Sequence, residues 1–235
     1  MLDLLKEWSQ MLLLFCGIVI GVWIIWKRRE RVGQNALWQA IITGIFFTVC
    51  SFGAALLFAD FESILRSEST EGGAVSTYGV YFLAALVVFL FAKVTRQDAK
   101  GYLDLFALYV IPSLFLMRCN CIFTDCCGGK NIFGMQVRWP TRESELIFLA
   151  VIFLVLLRME RKNKIPGQLY PVLMVCYGCF RFINEWFRTG DALVWELHLA
   201  HIWSIICIGI GLSIWLELKS RAERKAIRRN GNRRS

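Results

Sequence analysis

Four polar side chains lie within an otherwise apolar segment that runs from Pro166 to Arg188. Their spacing of i, i+3, i+4 and i+7 places them on one face of an α-helix. The four are Arg181, Asn184, Glu185 and Arg188. A guanidinium presents a rigid fork of N–H donors that suits phosphate, and it stays charged when partly buried. Two interpretations follow: the arginines reach back to a membrane surface, with Arg181 paired to Glu185, or this face lines a cavity for an anionic group.

A second polar cluster occupies Met117–Glu145, and Arg118 stands at its boundary with the apolar segment before it. It contains four cysteines in the pattern C-x-C-x₄-C-C. They are Cys119, Cys121, Cys126 and Cys127. Zinc sites usually show two separated C-x₂-C pairs, so we predict no metal here. A disulfide, or small residues that pack a turn, are the two interpretations that remain.

The chain has two histidines, His198 and His201, just ahead of and within the last apolar segment. Histidine can act as a base because its ordinary pKa lies near neutrality, but an interfacial histidine is more often a hydrogen-bonded structural residue. Tyr78 opens the third apolar segment, where a tyrosine ordinarily anchors a helix at the membrane interface.

The elements that must position these side chains are membrane helices. Of the 235 residues, 57% are hydrophobic and only 19% are charged, and the mean hydropathy is +0.52. Soluble domains are less apolar and more highly charged, and these values also exclude a disordered chain and a small disulfide-stapled secreted domain. The net charge of +9 comes from short basic clusters between apolar blocks, which indicates orientation in a bilayer rather than binding to nucleic acid.

Seven apolar segments predict an all-α integral membrane protein with about seven transmembrane helices. The segments are Trp8–Trp26, Leu37–Phe58, Thr77–Ala92, Tyr102–Met117, Glu145–Leu157, Gln168–Arg188 and Leu199–Leu216. The fifth is the shortest, and a re-entrant or tilted segment is its alternative.

Basic residues predict the orientation of these helices. Four regions that follow the odd-numbered segments hold 19 of the 27 lysines and arginines. They are Lys27–Arg31, Lys93–Lys100, Arg158–Lys164 and Lys219–Ser235. The positive-inside rule then places the N-terminus outside and the C-terminus in the cytoplasm. We expect one transmembrane domain, residues 1–218, followed by a solvated basic cytoplasmic tail, residues 219–235, that contacts anionic membrane lipids.

Read together, these stretches resemble the bacterial prolipoprotein diacylglyceryl transferase family over roughly Thr77–Trp215. The strongest match is YGCFRFINEWFRTGD, Tyr177–Asp191, which is similar to the family's penultimate helix. MRCNCIFTDCCGGK resembles the family's signature loop, RWPTRESEL its His-Pro-x-Gln-Leu-Tyr-Glu stretch, and LHLAHIWS, Leu197–Ser204, the Met-Gly-Gln-x-x-Ser motif.

The resemblance implies transfer of a diacylglyceryl group from phosphatidylglycerol to the lipobox cysteine of a prolipoprotein signal peptide, without a cofactor, in the bacterial cytoplasmic membrane. Arg118 and Arg181 match the family's arginines and would bind and polarise the phosphate, and Glu185 would orient Arg181. The substrate-binding set implied in this way also includes Asn184, Arg188 and Tyr177.

This chain departs from the family pattern at several positions. The family's His-Gly-Gly reads Tyr78-Gly79-Val80, so the role of that histidine passes to Tyr78, to His201 or to no residue. Glu143 and Glu145 replace neutral or aromatic residues. An active transferase is the main hypothesis. The alternatives are a non-catalytic relative that binds phospholipid or a membrane partner, and a small-solute transporter, which would call for inverted repeats.

Overall fold

The computed structural model describes residues 2–34, 36–66, 75–123, 129–131, 139–162, 165–188 and 198–231. The described residues form seven long helices, which confirms the predicted all-α fold. They are α1 Leu2–Lys27, α2 Leu37–Arg66, α3 Thr77–Val94, α4 Ala99–Phe123, α5 Thr141–Arg161, α6 Leu169–Glu185 and α7 Leu199–Gly231. A 3₁₀ turn, Arg29–Val32, follows α1, and α3 contains a π-helical turn at Val80–Ala84.

Within the described ranges, four helices are long and apolar enough to cross a membrane: α2, α3, α4 and α7, over Leu37–Leu65, Thr77–Val94, Ala99–Cys121 and Leu199–Lys225. In α1 the described apolar part, Phe15–Lys27, is shorter. The 17 residues of α6 include Arg181 and Glu185, which lower its apolar content. Membrane crossing by α1, α5 and α6 therefore stays a prediction.

The outer surface of the bundle is apolar. Large side chains such as Ile64, Val94 and Leu154 are more than half exposed on α2, α3 and α5. A soluble protein rarely exposes so continuous an apolar surface, whereas acyl chains would cover it in a bilayer. The buried face of these helices surrounds α4, whose residues Leu105–Ile111 are almost completely enclosed.

Glycines allow two helix pairs to approach closely. A Cβ atom at Gly79 of α3 would overlap the carbonyl oxygen of Ala54 in α2. A Cβ at Gly178 of α6 would lie 3.0 Å from the carbonyl oxygen of Ser204 in α7. Small residues at such crossings let backbones pack tightly where no water is present to drive association. The α2–α3 and α6–α7 contacts thus fix the elements that carry Tyr78 and Arg181.

Polar contacts join the helices at the opposite end from Arg118 and Arg181. Arg28, after α1, donates two hydrogen bonds of 2.6 and 2.7 Å to Glu160 near the end of α5. Asp104 of α4 accepts hydrogen bonds of 2.8 Å from the backbone N–H groups of Gly167 and Leu169. The Asp104 carboxylate thereby satisfies the N–H of Leu169, which has no acceptor within α6, and the N–H of Gly167 just before the helix. These bonds fix where α6 begins.

Several helices end at other residues than the predicted apolar segments, and the last two segments show why. The predicted sixth segment ends at Arg188, but α6 ends at Glu185, and Arg188 instead forms an isolated antiparallel bridge with Gly129. The reason is a tight turn, in which the N–H of Trp186 donates to Ile183 three residues earlier. The predicted last segment ends at Leu216, but α7 continues as helix through the basic tail to Gly231, because Lys, Arg, Ala and Glu favour helix.

Candidate functional site

Two arginines from different helices converge on one buried carboxylate. Arg118 near the end of α4 places its Nε 3.0 Å from Oε1 of Glu145, which lies in the second turn of α5. Arg181 of α6 places its Nη1 3.4 Å from the other oxygen, Oε2. Glu145 is only 3% exposed, so this carboxylate compensates two guanidiniums where water cannot.

Tyrosine and threonine hydroxyls complete this part of the site. The hydroxyl of Tyr177 donates a 3.1 Å hydrogen bond to Oε1 of Glu145. Nη2 of Arg118 lies 3.4 Å from the hydroxyl oxygen of Thr77, at the start of α3. Four helices therefore supply side chains to one polar centre, as expected where ionisable groups sit inside an apolar bundle.

A second carboxylate, Glu185, extends the centre towards α7. Its Oε2 lies 2.9 Å from Nη2 of Arg181 and 3.8 Å from Nη1 of Arg188. Its Oε1 lies 3.9 Å from Nδ1 of His198. The predicted pair of Arg181 with Glu185 is confirmed. The predicted alternative, in which Arg181 extends to the membrane surface, is wrong, because Arg181 is 7% exposed and contacts carboxylates of two helices.

These five side chains form what we call the arginine cluster: Arg118, Arg181, Arg188, Glu145 and Glu185. The cluster combines three guanidiniums with two carboxylates, and the ion pairs join all five side chains. The side chain of Arg188 is 28% exposed, compared with 10% for Arg118 and 8% for Arg181, so it lies at the rim. Guanidiniums from two helices that meet in a buried centre favour an anionic ligand such as a phosphate.

Asn184 connects α6 to the start of α5. Its side-chain oxygen accepts hydrogen bonds from the Ser144 hydroxyl, 3.0 Å, and from the Trp139 indole, 3.3 Å. Its amide nitrogen donates to the carbonyl oxygen of Thr141. The Trp139 ring also stacks on Phe187, with centroids 4.4 Å apart. These contacts join α6 to the start of α5, so they hold Glu145 opposite Arg181.

The two sequence candidates for a base lie in the same region, each with partners of its own. The Tyr78 hydroxyl is 2.7 Å from the Ser204 hydroxyl and 2.9 Å from the Ala200 carbonyl oxygen, both on α7. His201 is 1% exposed, and its Nδ1 accepts a 3.1 Å hydrogen bond from the backbone N–H of His198.

A cavity of about 360 Å³ adjoins Arg118 between α1, α2, α3 and α4. Thr77 both lines it and contacts Arg118. Its walls are mostly apolar, with hydroxyls from Thr48, Ser51 and Ser113 among them. A cavity of this composition beside a guanidinium can hold a molecule with an apolar body and an anionic end.

Sequence reasoning missed Glu145, which the structure places between the two central arginines. In the sequence it stands out only as a departure from a family stretch. The available signal was an acidic residue at the start of an apolar helix, at the same end of the bundle as Arg118. Cys126 and Cys127 lie outside the described residues, and within the described ranges no three metal-ligating side chains lie together.

A family model described as prolipoprotein diacylglyceryl transferase matches residues 10–217. A Dehalococcoides mccartyi protein named phosphatidylglycerol–prolipoprotein diacylglyceryl transferase is 20% identical, over 91% of this chain and 90% of the relative. A Clostridium tetani protein of the same name is 25% identical, over 90% of this chain and 93% of the relative. The family match includes every residue of the arginine cluster.

Proposed function

The chain belongs to the prolipoprotein diacylglyceryl transferase family, and on that premise we propose that it transfers a diacylglyceryl group from phosphatidylglycerol to the cysteine thiol of a prolipoprotein. The observation that carries the proposal is the convergence of Arg118 and Arg181 on Glu145 within an all-helical, apolar bundle. The relatives' name supplies the two substrates, and the arginine cluster supplies a cationic site for the phosphate of one of them.

The reaction forms one bond and breaks another. The cysteine sulfur, as thiolate, attacks the glyceryl carbon that carries the phosphate, and an S–C bond forms. The C–O bond to the phosphate breaks, its electron pair stays on the phosphate oxygen, and glycerol phosphate leaves. Negative charge therefore grows on the phosphate in the transition state. Guanidiniums already in place stabilise that charge without reorganising.

Each residue of the cluster has a distinct part in this proposal. Arg118 and Arg181 bind and polarise the phosphate, with the hydroxyl of Tyr177 beside them. Glu145 orients both guanidiniums, and Glu185 orients that of Arg181. Arg188, at the exposed rim, attracts the anionic headgroup, and Asn184 keeps α5 and α6 in register.

The donor lipid would place its acyl chains towards the 360 Å³ cavity beside Arg118. Apolar walls suit the chains, while Thr77 and Arg118 stand where the headgroup would begin. The basic regions support a location in the bacterial cytoplasmic membrane with the N-terminus outside, so that the arginine cluster lies near the outer surface.

The test is conversion of a lipobox peptide by the purified full-length protein in micelles that contain phosphatidylglycerol. We expect a mass increase of the peptide by one diacylglyceryl group. Arg181→Ala should lower the rate by at least about 100-fold, because a donor aimed at the developing charge is lost. Arg161→Ala is the matched control, since Arg161 is exposed at the other end of the bundle and should leave the rate unchanged.

Three outcomes would contradict the proposal in different ways. Phosphatidylglycerol binding without product would indicate the non-catalytic relative. A full rate for Arg181→Ala would show that the phosphate is bound elsewhere. Solute flux in sealed vesicles, with no peptide conversion, would indicate the transporter.

A further inference from the structure

A cavity of about 740 Å³ opens between α3 and α7, away from the arginine cluster. The two helices meet near its other end, where the Tyr78 hydroxyl contacts the Ser204 hydroxyl and the Ala200 carbonyl oxygen. Towards Lys93 and Arg221, the described residues form no hydrogen bond or ion pair between α3 and α7, and the cavity lies between the two helices. It shares no lining residue with the smaller cavity of 360 Å³.

The walls of this cavity are apolar over most of its length. Four helices contribute side chains to them, among them Leu86, Phe89, Leu103, Met174, Ile210 and Ile214. Leu86 is 51% exposed, so the cavity is a groove that opens on the outer surface of the bundle. In a bilayer an acyl chain fills such a groove, and the headgroup of that lipid then lies at the mouth. We call it the α3–α7 groove.

Basic side chains stand at the mouth of the α3–α7 groove. Lys93, Lys100 and Arg221 line it there, and all three are exposed. Arg221 is paired with Glu217 of its own helix, and Asp98 also lines the mouth. Neither lysine ammonium forms an ion pair with a carboxylate of any described residue. The two lysines are therefore the cations that a ligand of the groove can reach.

Packing keeps both lysines at the mouth. Nζ of Lys93 lies 5.6 Å from the ring centroid of Phe89, one turn earlier on the groove wall. The stem of Lys100 lies on Gly167, where an added Cβ atom would be 3.1 Å from Cβ of Lys100. Gly167 has a φ of 87°, which favours glycine, and its N–H donates to Asp104. The turn that precedes α6 therefore also holds Lys100.

The mouth lies where a membrane surface is expected. Nζ of Lys219 is 5.5 Å from the ring centroid of Trp215, on the part of α7 that precedes Arg221. Tryptophan is enriched where the hydrocarbon core meets the headgroups, and lysine reaches towards the same depth. The phosphate of a lipid whose chain fills the groove would then lie beside Lys93 and Lys100.

We infer that the α3–α7 groove binds one anionic phospholipid from the leaflet at this end of the bundle, which is the cytoplasmic leaflet in the proposed orientation. Its acyl chain packs on the apolar walls, and its phosphate accepts hydrogen bonds from Lys93 and Lys100. The bound lipid joins α3 to α7 where the described side chains do not. This site is separate from the arginine cluster, and its occupancy does not depend on the transfer reaction.

Charge favours this occupant over two others. A signal peptide carries a positively charged segment ahead of its apolar segment, and that segment would meet the like charges of Lys93 and Lys100. A zwitterionic phospholipid brings a cation of its own to the mouth. An anionic headgroup complements the lysines, and each basic residue near a membrane surface strengthens such binding by about fivefold.

The test locates the lipid by photolabelling. The full-length protein is placed in phosphatidylcholine vesicles with a trace of phosphatidylglycerol that carries a diazirine in one acyl chain, and mass spectrometry identifies the labelled residues. We expect label on Phe89 and Ile214. A phosphatidylethanolamine probe with the same chains should give about tenfold less label there. Leu154, on the lipid-facing side of α5, should be labelled equally by both probes.

Charge variants test the mouth of the groove. The double variant Lys93→Gln with Lys100→Gln should lower the phosphatidylglycerol label in the groove about tenfold and leave the label at Leu154 unchanged. The matched control is Arg96→Gln with Arg161→Gln, which removes two positive charges at the same end from exposed residues that do not line the groove. This control should keep the wild-type label at both places.

A variant of unchanged charge tests the walls. Ile214→Trp narrows the groove, so it should lower the groove label from both probes several-fold. If the label stays at the wild-type level, the lysines attract lipid without the groove, and the inference is wrong.

Three further results would overturn the inference. Equal labelling of the groove by the two probes would show that it takes any lipid. The same loss in the control pair as in the lysine pair would show a general effect of surface charge. Displacement of the label by an excess of lipobox peptide with alanine in place of the cysteine would show that the groove holds the signal peptide. A labelled groove in a protein that lipidates no peptide would contradict the proposed function alone.

Discussion

Glu145 is the residue on which the site depends most heavily. Its two oxygens face guanidiniums that arrive from α4 and α6, and Tyr177 donates to one of them. Two buried arginines without this carboxylate would repel each other at close range. The same side chain therefore stabilises the fold and sets the separation of the groups that bind the phosphate.

We expect Glu145→Gln to lower the free energy of unfolding by about 3 kcal/mol, as when a buried ion pair loses one partner. It should also lower the transfer rate more than tenfold, because Arg118 and Arg181 move apart. Thermal unfolding in detergent and the peptide assay measure the two effects. Glu143→Gln is the control, since Glu143 is an exposed neighbour on the same helix and should change neither. Equal behaviour of the two variants would contradict the central role of Glu145.

At the scale of elements, the crossing of α2 and α3 depends on Gly79. The position follows Tyr78, and the backbone of α2 passes so close that a methyl group has no room. The π-helical turn at Val80–Ala84 begins immediately after it. The start of α3, which carries Thr77 and Tyr78 into the site, is thus positioned by contact with α2.

Gly79→Ala should lower the free energy of unfolding by about 1–3 kcal/mol, the usual range for overpacking, and should displace Thr77 from Arg118. Gly53→Ala is the matched control in α2, because a Cβ atom there meets no atom within 4 Å. Circular dichroism during thermal unfolding provides the comparison. A Gly79→Ala protein as stable as Gly53→Ala would show that α2 and α3 are not in close contact at Gly79.

The start of α6 depends on Asp104. The substitution Asp104→Asn removes the negative charge that accepts hydrogen bonds from two backbone N–H groups. We expect it to lower the free energy of unfolding by about 1–2 kcal/mol, as is typical when a helix cap is lost. Arg181 would lose alignment with Glu145, so the peptide-transfer rate should fall as well. Asp60→Asn, at an exposed position of α2, is the control and should change neither the stability nor the transfer rate. Unchanged stability in Asp104→Asn would mean that α6 begins correctly without this cap.

The sequence predicted those features that depend on residues close together along the chain. Hydropathy predicted seven helices, and helical spacing predicted the pair of Arg181 with Glu185, four residues apart. Glu145 lies 36 positions from Arg181, and Tyr78 lies 126 positions from Ser204, so no periodicity connects them. Such pairs depend on how helices cross, which glycines such as Gly79 determine. The early end of α6 was missed because a single tight turn decides it.

At the scale of the whole molecule, the distribution of charge makes a topological prediction. The basic regions fall at one end of the bundle, where Arg28 meets Glu160, and the arginine cluster lies at the other. We expect a fluorescent protein fused after Ser235 to be bright, since it folds in the cytoplasm, and an alkaline phosphatase fused there to be inactive. The same reporters fused ahead of Met1 should give the opposite pattern. Active phosphatase at the C-terminus would reverse the proposed orientation.

The unbroken helix α7 sets how far the basic tail extends from the bundle. Its 33 residues, at about 1.5 Å of rise per residue, are roughly 50 Å long, whereas the hydrocarbon core of a bilayer is about 30 Å thick. In the proposed orientation, the last turns of α7 therefore project from the cytoplasmic face of the membrane as a rod. The basic residues of those turns then lie at successive distances from the membrane surface, whereas a flexible arm would let all of them reach the anionic headgroups.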